Sequence, residues 1–190
     1  MPIKVYIDQG HNPSGFNTGA EGNGLYEQDI TYEIGRRLYN LFLSNPDEFT
    51  PRLSRPTPET IRGTSNATSL TERVREANEW GADIFLSLHN NAAENPNASG
   101  NEALVYGPGA TVANELGEDI LEQLTLTTGL RNRGIVNRPG LYVLKNTNMP
   151  AVLVEMGFIT NPYDAELLAY SPYLFSTGIY RGVLEYYDLL

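Results

Sequence analysis

Residues 84–92 read IFLSLHNNA, and this stretch decides the fold. Ile84 to Leu88 form an uncharged run of strand length with no regular polar alternation. A strand with one wet face alternates apolar and polar side chains, whereas a strand covered on both faces has no need to. Ala151–Val154 (AVLV) lacks alternation in the same way, and Ile3–Asp8 (IKVYID) is a short β-rich run ended by Gly10. Sheets covered on both faces are built mainly from parallel strands joined by helices. Helices are therefore expected between these runs.

The intervening segments have helical spacing. Glu27–Leu43 sets Ile30, Ile34, Leu38, Leu41 and Phe42 on one face. Leu70–Trp80 reads as a second helix, with Ser69 as N-cap and Gly81 as its stop. Thr111–Thr128 is a long helix ending at Gly129; Pro162–Ala169 and Pro172–Tyr187 are two more. Thr50–Ser54, Ala103–Tyr106 and Leu141–Leu144 are further strand candidates, and Thr57–Ser65 and Asn90–Gly100 read as loops. The expected fold is α/β, a single domain over residues 1–190 with a mostly parallel sheet and helices on both faces. No repeat or low-complexity tract divides it.

Composition narrows the function. The 190 residues suit one full-sized core, and 41% hydrophobic with 19% charged content marks a globular chain. A net charge of −10 argues against a nucleic-acid partner, because phosphate binding needs a basic face. No apolar run is long enough for membrane insertion. The opening MPIKVYIDQG reads as a first strand rather than a signal peptide, which implies synthesis in the cytoplasm or prior removal of a leader. With no cysteine, there is no disulfide, no thiolate metal site and no Cys nucleophile.

The chain has two histidines, and each follows a strand: His11 after VYIDQG and His89 after IFLSL. Glu155 follows AVLV in the same way. Ligands of open α/β sheets bind outside the carboxyl ends of the strands, so these three can converge. Two imidazoles and a carboxylate with an open fourth position make a hydrolytic zinc site. Against this stand two plainer readings, a hydrogen-bonded loop histidine and a glutamate turned to solvent. The glycine-rich loop Gly15–Gly24 matches neither phosphate-binding pattern. It reads better as a loop delivering Glu27, with Glu21 as the rival acid; an acid opening a helix also suits the macrodipole. No G-x-S-x-G is present, and a glycosidase reading leaves the histidines without a role. Arg73 and Arg75 are expected on a solvated helix face or in an ion pair.

Five motifs occur in order: IDQGH at 7–11, GLYEQDI at 24–30, RVREAN at 73–78, SLHNNA at 87–92 and VLVEMGFITN at 152–161. Together they resemble the zinc-dependent N-acetylmuramoyl-L-alanine amidases of the type 3 family, over nearly the whole chain. The resemblance implies a twisted sheet between helices and a Zn2+ held by His11, Glu27 and His89. It implies Glu155 as the catalytic glutamate, and Asn78 and Asn91 as supporting residues. It further implies hydrolysis of the bond between N-acetylmuramic acid and L-alanine in peptidoglycan. The alternatives are a zinc peptidase cutting within the stem peptide and a non-catalytic peptidoglycan-binding module. The setting it implies is the cell wall, reached by a phage endolysin, a sporulation-type enzyme or a domain of a secreted protein. Gln9 before Gly-His and Asn12-Pro13 after it depart from the family's usual first motif.

Overall fold

The computed structural model describes all 190 residues. In chain order it holds β1 (Ile3–Gln9), the two-residue strands β2 (Glu21–Gly22) and β3 (Leu25–Tyr26), and α1 (Glu27–Leu43). Then come β4 (Phe49–Leu53), α2 (Asn66–Trp80), β5 (Ile84–Asn91), β6 (Asn101–Val105) and α3 (Thr111–Thr128). The chain closes with β7 (Asn132–Asn137), α4 (Tyr142–Lys145), β8 (Ala151–Phe158), α5 (Pro162–Tyr170) and α6 (Pro172–Tyr186).

Six strands form one sheet in the order β4-β1-β5-β8-β6-β7. Neighbours are parallel except at β6–β8, which is antiparallel. The expected mostly parallel α/β sheet is what forms, with β6 and β7 reversed at one side. Because side chains alternate across a strand, each strand feeds two cores. Val5, Ile7, Leu86, Leu88, Val152 and Val154 enter a core of 26 buried residues under α1, α3 and α6. Tyr6, Phe85, Leu104 and Leu153 enter a core of ten under α2 and α4. The absence of alternation in IFLSL and AVLV thus has its cause: both faces are covered.

From β1 the chain crosses to β4 at one side, then returns through α2 to β5 at the other. The carboxyl ends of β1 and β5 therefore flank a topological switch point, where α/β sheets open a crevice. Both chain ends lie at the opposite edge. Asp83, which precedes β5, accepts from the Lys4 N–H at 2.7 Å, and its charge reaches Tyr187 just past α6.

Three expectations need correction. Leu141–Leu144 is not a strand: Tyr142–Lys145 is the short helix α4, held by i−4 bonds from Lys145 and Asn146. It buries the adjacent Val143 and Leu144 together, which a strand with alternating faces could not do on one core. The N-cap of α2 is Ser65, not Ser69. The Ser65 hydroxyl accepts the Thr68 N–H at 3.2 Å, and Thr68 answers with its own hydroxyl in a capping box. Strand β7 was not anticipated; its sequence NRGIVN is polar and none of its residues is buried.

Candidate active site

His11 lies two residues past the end of β1 and the turn it enters is unusual. Its φ is +71°, a left-handed backbone that non-glycine residues seldom adopt. Arg73 from α2 donates to the His11 carbonyl at 2.6 Å, and the Asn12 N–H bonds the Asn17 carbonyl at 2.7 Å to close the turn. These bonds offset the strain of the His11 backbone.

Glu27 opens α1 and is buried. Its Oε2 accepts the Ala20 N–H at 2.8 Å, so the β2–β3 hairpin is fastened at its base to this carboxylate. Its Oε1 accepts the Asn90 N–H at 2.9 Å and lies 3.0 Å from both His89 Nδ1 and His11 Nε2. Burial alone would raise the Glu27 pKa. Hydrogen bonds from the two imidazoles and their charge outweigh it and hold the carboxyl well below the usual range. The two rings meet edge to face, centroids 4.7 Å apart.

The structure thus brings His11, Glu27 and His89 together, one ligand atom from each lying within 4.8 Å of the others. Glu21 is exposed in the hairpin and takes no part. Atoms that bind one ion tetrahedrally at about 2.1 Å sit about 3.4 Å apart, so the 3.0 Å spacings suit a single small cation. Two imidazole nitrogens and one carboxylate oxygen form a donor set able to hold a divalent metal ion.

Glu155 lies on β8 directly beside His89 of β5 in register, with Glu102 of β6 on its other side. Its Oε2 is sealed from solvent and has no hydrogen-bond partner. Burial first, then the negative charges of Glu27 and Glu102, push its pKa up to about 8; Arg138 opposes them. The pair of glutamates therefore differs in chemistry. Glu27 is a fixed anion, and Glu155 is a carboxyl that can exchange a proton near neutral pH.

Beneath these residues lies the ion pair that was one of the two expectations for Arg73; its burial and its partner Asp8 were not foreseen. Arg73 is 1% exposed and donates to Asp8 Oδ1 at 2.5 Å, to the Gln9 carbonyl at 2.6 Å and to Ser54 Oγ at 3.2 Å. The Ser87 hydroxyl donates to the other Asp8 oxygen at 2.9 Å. Burial would raise the Asp8 pKa; the Arg73 charge and hydrogen bond, with the His89 charge and Ser87, bring it below its ordinary value. The solvated-face expectation holds for Arg75, which is exposed, but not for Arg73. A signal was present: Ser69, Arg73 and Ala77 recur every four residues on the stripe of α2 that is buried.

The remaining named residues brace the neighbourhood. Asn78 donates to the Asn146 carbonyl and accepts the Asn148 N–H, both at 2.9 Å, tying α2 to the end of α4. Asn91 donates to Glu102, the acid that adjoins Glu155.

Comparison with known proteins places this geometry. A family model described as N-acetylmuramoyl-L-alanine amidase matches residues 5–185. The amidase CwlM of Bacillus licheniformis is 38% identical over 95% of this chain and 65% of its own length. LytC of Bacillus subtilis, also an N-acetylmuramoyl-L-alanine amidase, is 37% identical over 96% of this chain and 35% of its own. The chain thus spans less than two thirds of either relative. The crystal structure of an N-acetylmuramoyl-L-alanine amidase from Clostridium difficile 630 superposes with a TM-score of 0.86 at 32% identity, covering 98% of this chain and 97% of that one. With the five ordered motifs, the shared sheet and the family match over nearly its whole length, the chain belongs to the N-acetylmuramoyl-L-alanine amidase family.

Proposed function

We propose that residues 1–190 form the catalytic domain of a zinc-dependent N-acetylmuramoyl-L-alanine amidase. It hydrolyses the amide between the lactyl group of N-acetylmuramic acid and the L-alanine of the stem peptide, and so acts on the cell wall. The observation that carries the reading is the convergence of His11, Glu27 and His89 beside the uncompensated carboxyl of Glu155. Family membership supports the bond assignment.

In this reading His11, Glu27 and His89 would hold the ion, which would supply Lewis acidity to lower the pKa of water to near 7 and to polarise the scissile carbonyl. Glu155 takes the proton from the attacking water at its unpartnered oxygen. Burial makes the Glu155 carboxylate more basic than an exposed one, which suits it to accept that proton and to return it to the leaving amine of L-alanine. Glu27 does not compete for the proton, because its hydrogen bonds keep it ionised. Attack and departure proceed without a covalent bond to the protein. No helix is long and apolar enough to cross a membrane, so the reading places no membrane step in the reaction.

Purified peptidoglycan decides the bond. Digestion should release new amino termini of L-alanine and no new reducing sugar ends, with about one zinc per chain and activity that a chelator removes and zinc restores. New termini inside the stem peptide would replace this reading by a peptidase. Full activity in a metal-free preparation would remove zinc from it.

A further inference from the structure

His11 sits in a closed circuit of hydrogen bonds. Its ring Nδ1 faces Asn17 Oδ1 at 3.2 Å. The Asn17 Nδ2 donates to Ser69 Oγ at 3.2 Å, and Arg73 Nε approaches the same hydroxyl at 3.5 Å. Arg73 then returns to the His11 carbonyl at 2.6 Å. Ring and backbone of one residue are thereby held from two directions by the same helix. Ser69 and Arg73, a turn apart on the buried stripe of α2, are where the circuit is anchored.

The circuit has a chemical consequence. A carboxamide oxygen only accepts, so Asn17 Oδ1 requires the proton of His11 to reside on Nδ1. That makes Nε2, which without an ion hydrogen-bonds Glu27 at 3.0 Å, the nitrogen that gives its lone pair to a cation when one is bound. The same bond fixes the rotation of the ring about its own axis. Asn17 is itself preset, with φ at +56°, a left-handed backbone that asparagine accepts more readily than most residues.

We propose that Asn17 is a positioning residue for the metal centre. It selects the Nδ1-protonated tautomer of His11 and aims Nε2 at the ion, and α2 braces it through Ser69 and Arg73. The inference rests on the zinc reading above and adds to it a residue outside the ligand set. Loss of an outer hydrogen bond of this kind typically weakens metal binding by about 10- to 100-fold.

Two variants test it. Asn17→Gly removes the amide and takes the left-handed backbone without strain. Asn17→Asp keeps an acceptor oxygen in place. In competition with a chelator, Asn17→Gly should bind zinc about 10- to 100-fold more weakly than wild type while the melting temperature of the metal-free chain is unchanged. Asn17→Asp should bind within a few-fold of wild type. In proton–nitrogen NMR of the zinc-loaded protein, the His11 Nδ1 proton should be slow to exchange in wild type and fast in Asn17→Gly. Wild-type zinc affinity in Asn17→Gly overturns the proposal. So does an equal loss in both variants, which would trace the effect to loop shape, or a loss matched by a fall in metal-free melting temperature. If wild type itself binds no zinc, the ligand assignment fails and this inference falls with it.

Discussion

Glu27 and Glu155 are the same residue type in one crevice, yet their surroundings drive them apart. Glu27 receives two backbone N–H groups and faces two imidazoles. Glu155 receives nothing at Oε2 and has two carboxylates for neighbours. Removal should separate their roles. Glu27→Ala takes away a ligand of the proposed centre and should lose zinc together with activity. Glu155→Gln leaves every ligand in place and should keep about one zinc, while turnover falls by roughly 10²–10⁴, the usual weight of general acid–base catalysis. Metal analysis beside turnover decides it, and the reverse pattern would exchange the two assignments. Glu155 also sets a pH dependence in the metal-free protein. Its folded pKa of about 8 exceeds the ordinary 4.5, so between those values the folded chain keeps a proton that the unfolded chain has lost. The stability it contributes is complete below about pH 4.5 and is lost as pH rises through about 8. Unfolding free energy should therefore fall less steeply with pH in Glu155→Gln than in wild type. Parallel curves across that window would contradict the raised pKa.

At the scale of elements, what the sequence made legible follows from periodicity. α1 and α3 form over the expected residues, because each carries a long apolar stripe that the larger core receives. α4 and β7 escaped for opposite reasons. Leu141–Leu144 is too short for its run of apolar residues to distinguish strand from helix turn. Asn132–Asn137 pairs only with β6, so as an edge strand it needs no buried pattern to be read. The hairpin β2–β3 begins in the glycine-rich loop Gly15–Gly24 that was expected to deliver Glu27 and ends between that loop and Glu27, and its two-residue strands leave no periodic trace. The histidines were visible through their placement near strand ends, but only His11 lies past its strand; His89 and Glu155, expected after theirs, stand inside β5 and β8, whose pairing runs on through His89 and Glu155. Asn17 and Asp8 were not visible, nor was the partner of Arg73, since their contacts lie far away in sequence or in a turn whose shape no pattern encodes. The close contact of two elements gives one more test. A Cβ on Gly10 would come within 2.5 Å of the Leu88 carbonyl and 2.6 Å of the His89 ring. The end of β1 therefore touches β5 only because residue 10 has no side chain. Gly10→Ala should cost about 1–3 kcal/mol in chemical unfolding, the usual penalty of overpacking, and should weaken zinc binding by displacing His89. Unchanged zinc affinity would mean that the ring moves aside freely.

For the whole molecule, the functional crevice arises from the order in which strands join the sheet. The chain goes outward from β1 to β4 and comes back to β5, and the turns diverge above the seam between β1 and β5. His11 and His89 stand on either side of that seam, and Glu155 stands one strand further on. The thinner of the two cores lies on the face of Asp8, Ser87 and His89, where α2 supplies both apolar packing and the buried Arg73. Removing one partner of such a pair typically costs about 3–5 kcal/mol, because the other charge is left stranded. The helix that closes the smaller core is thus the same one that steadies the histidine turn. The placement of the chain ends at the edge marked by Asp83 has a mechanical corollary. Strands β1 and β5 separate that edge from the crevice by their full length, so anything joined to residue 1 or residue 190 departs from the far side of the sheet. A segment joined there would hold the domain by its back, with the crevice facing outward. Its span would set how far the domain can range and leave the shape of the crevice unaltered.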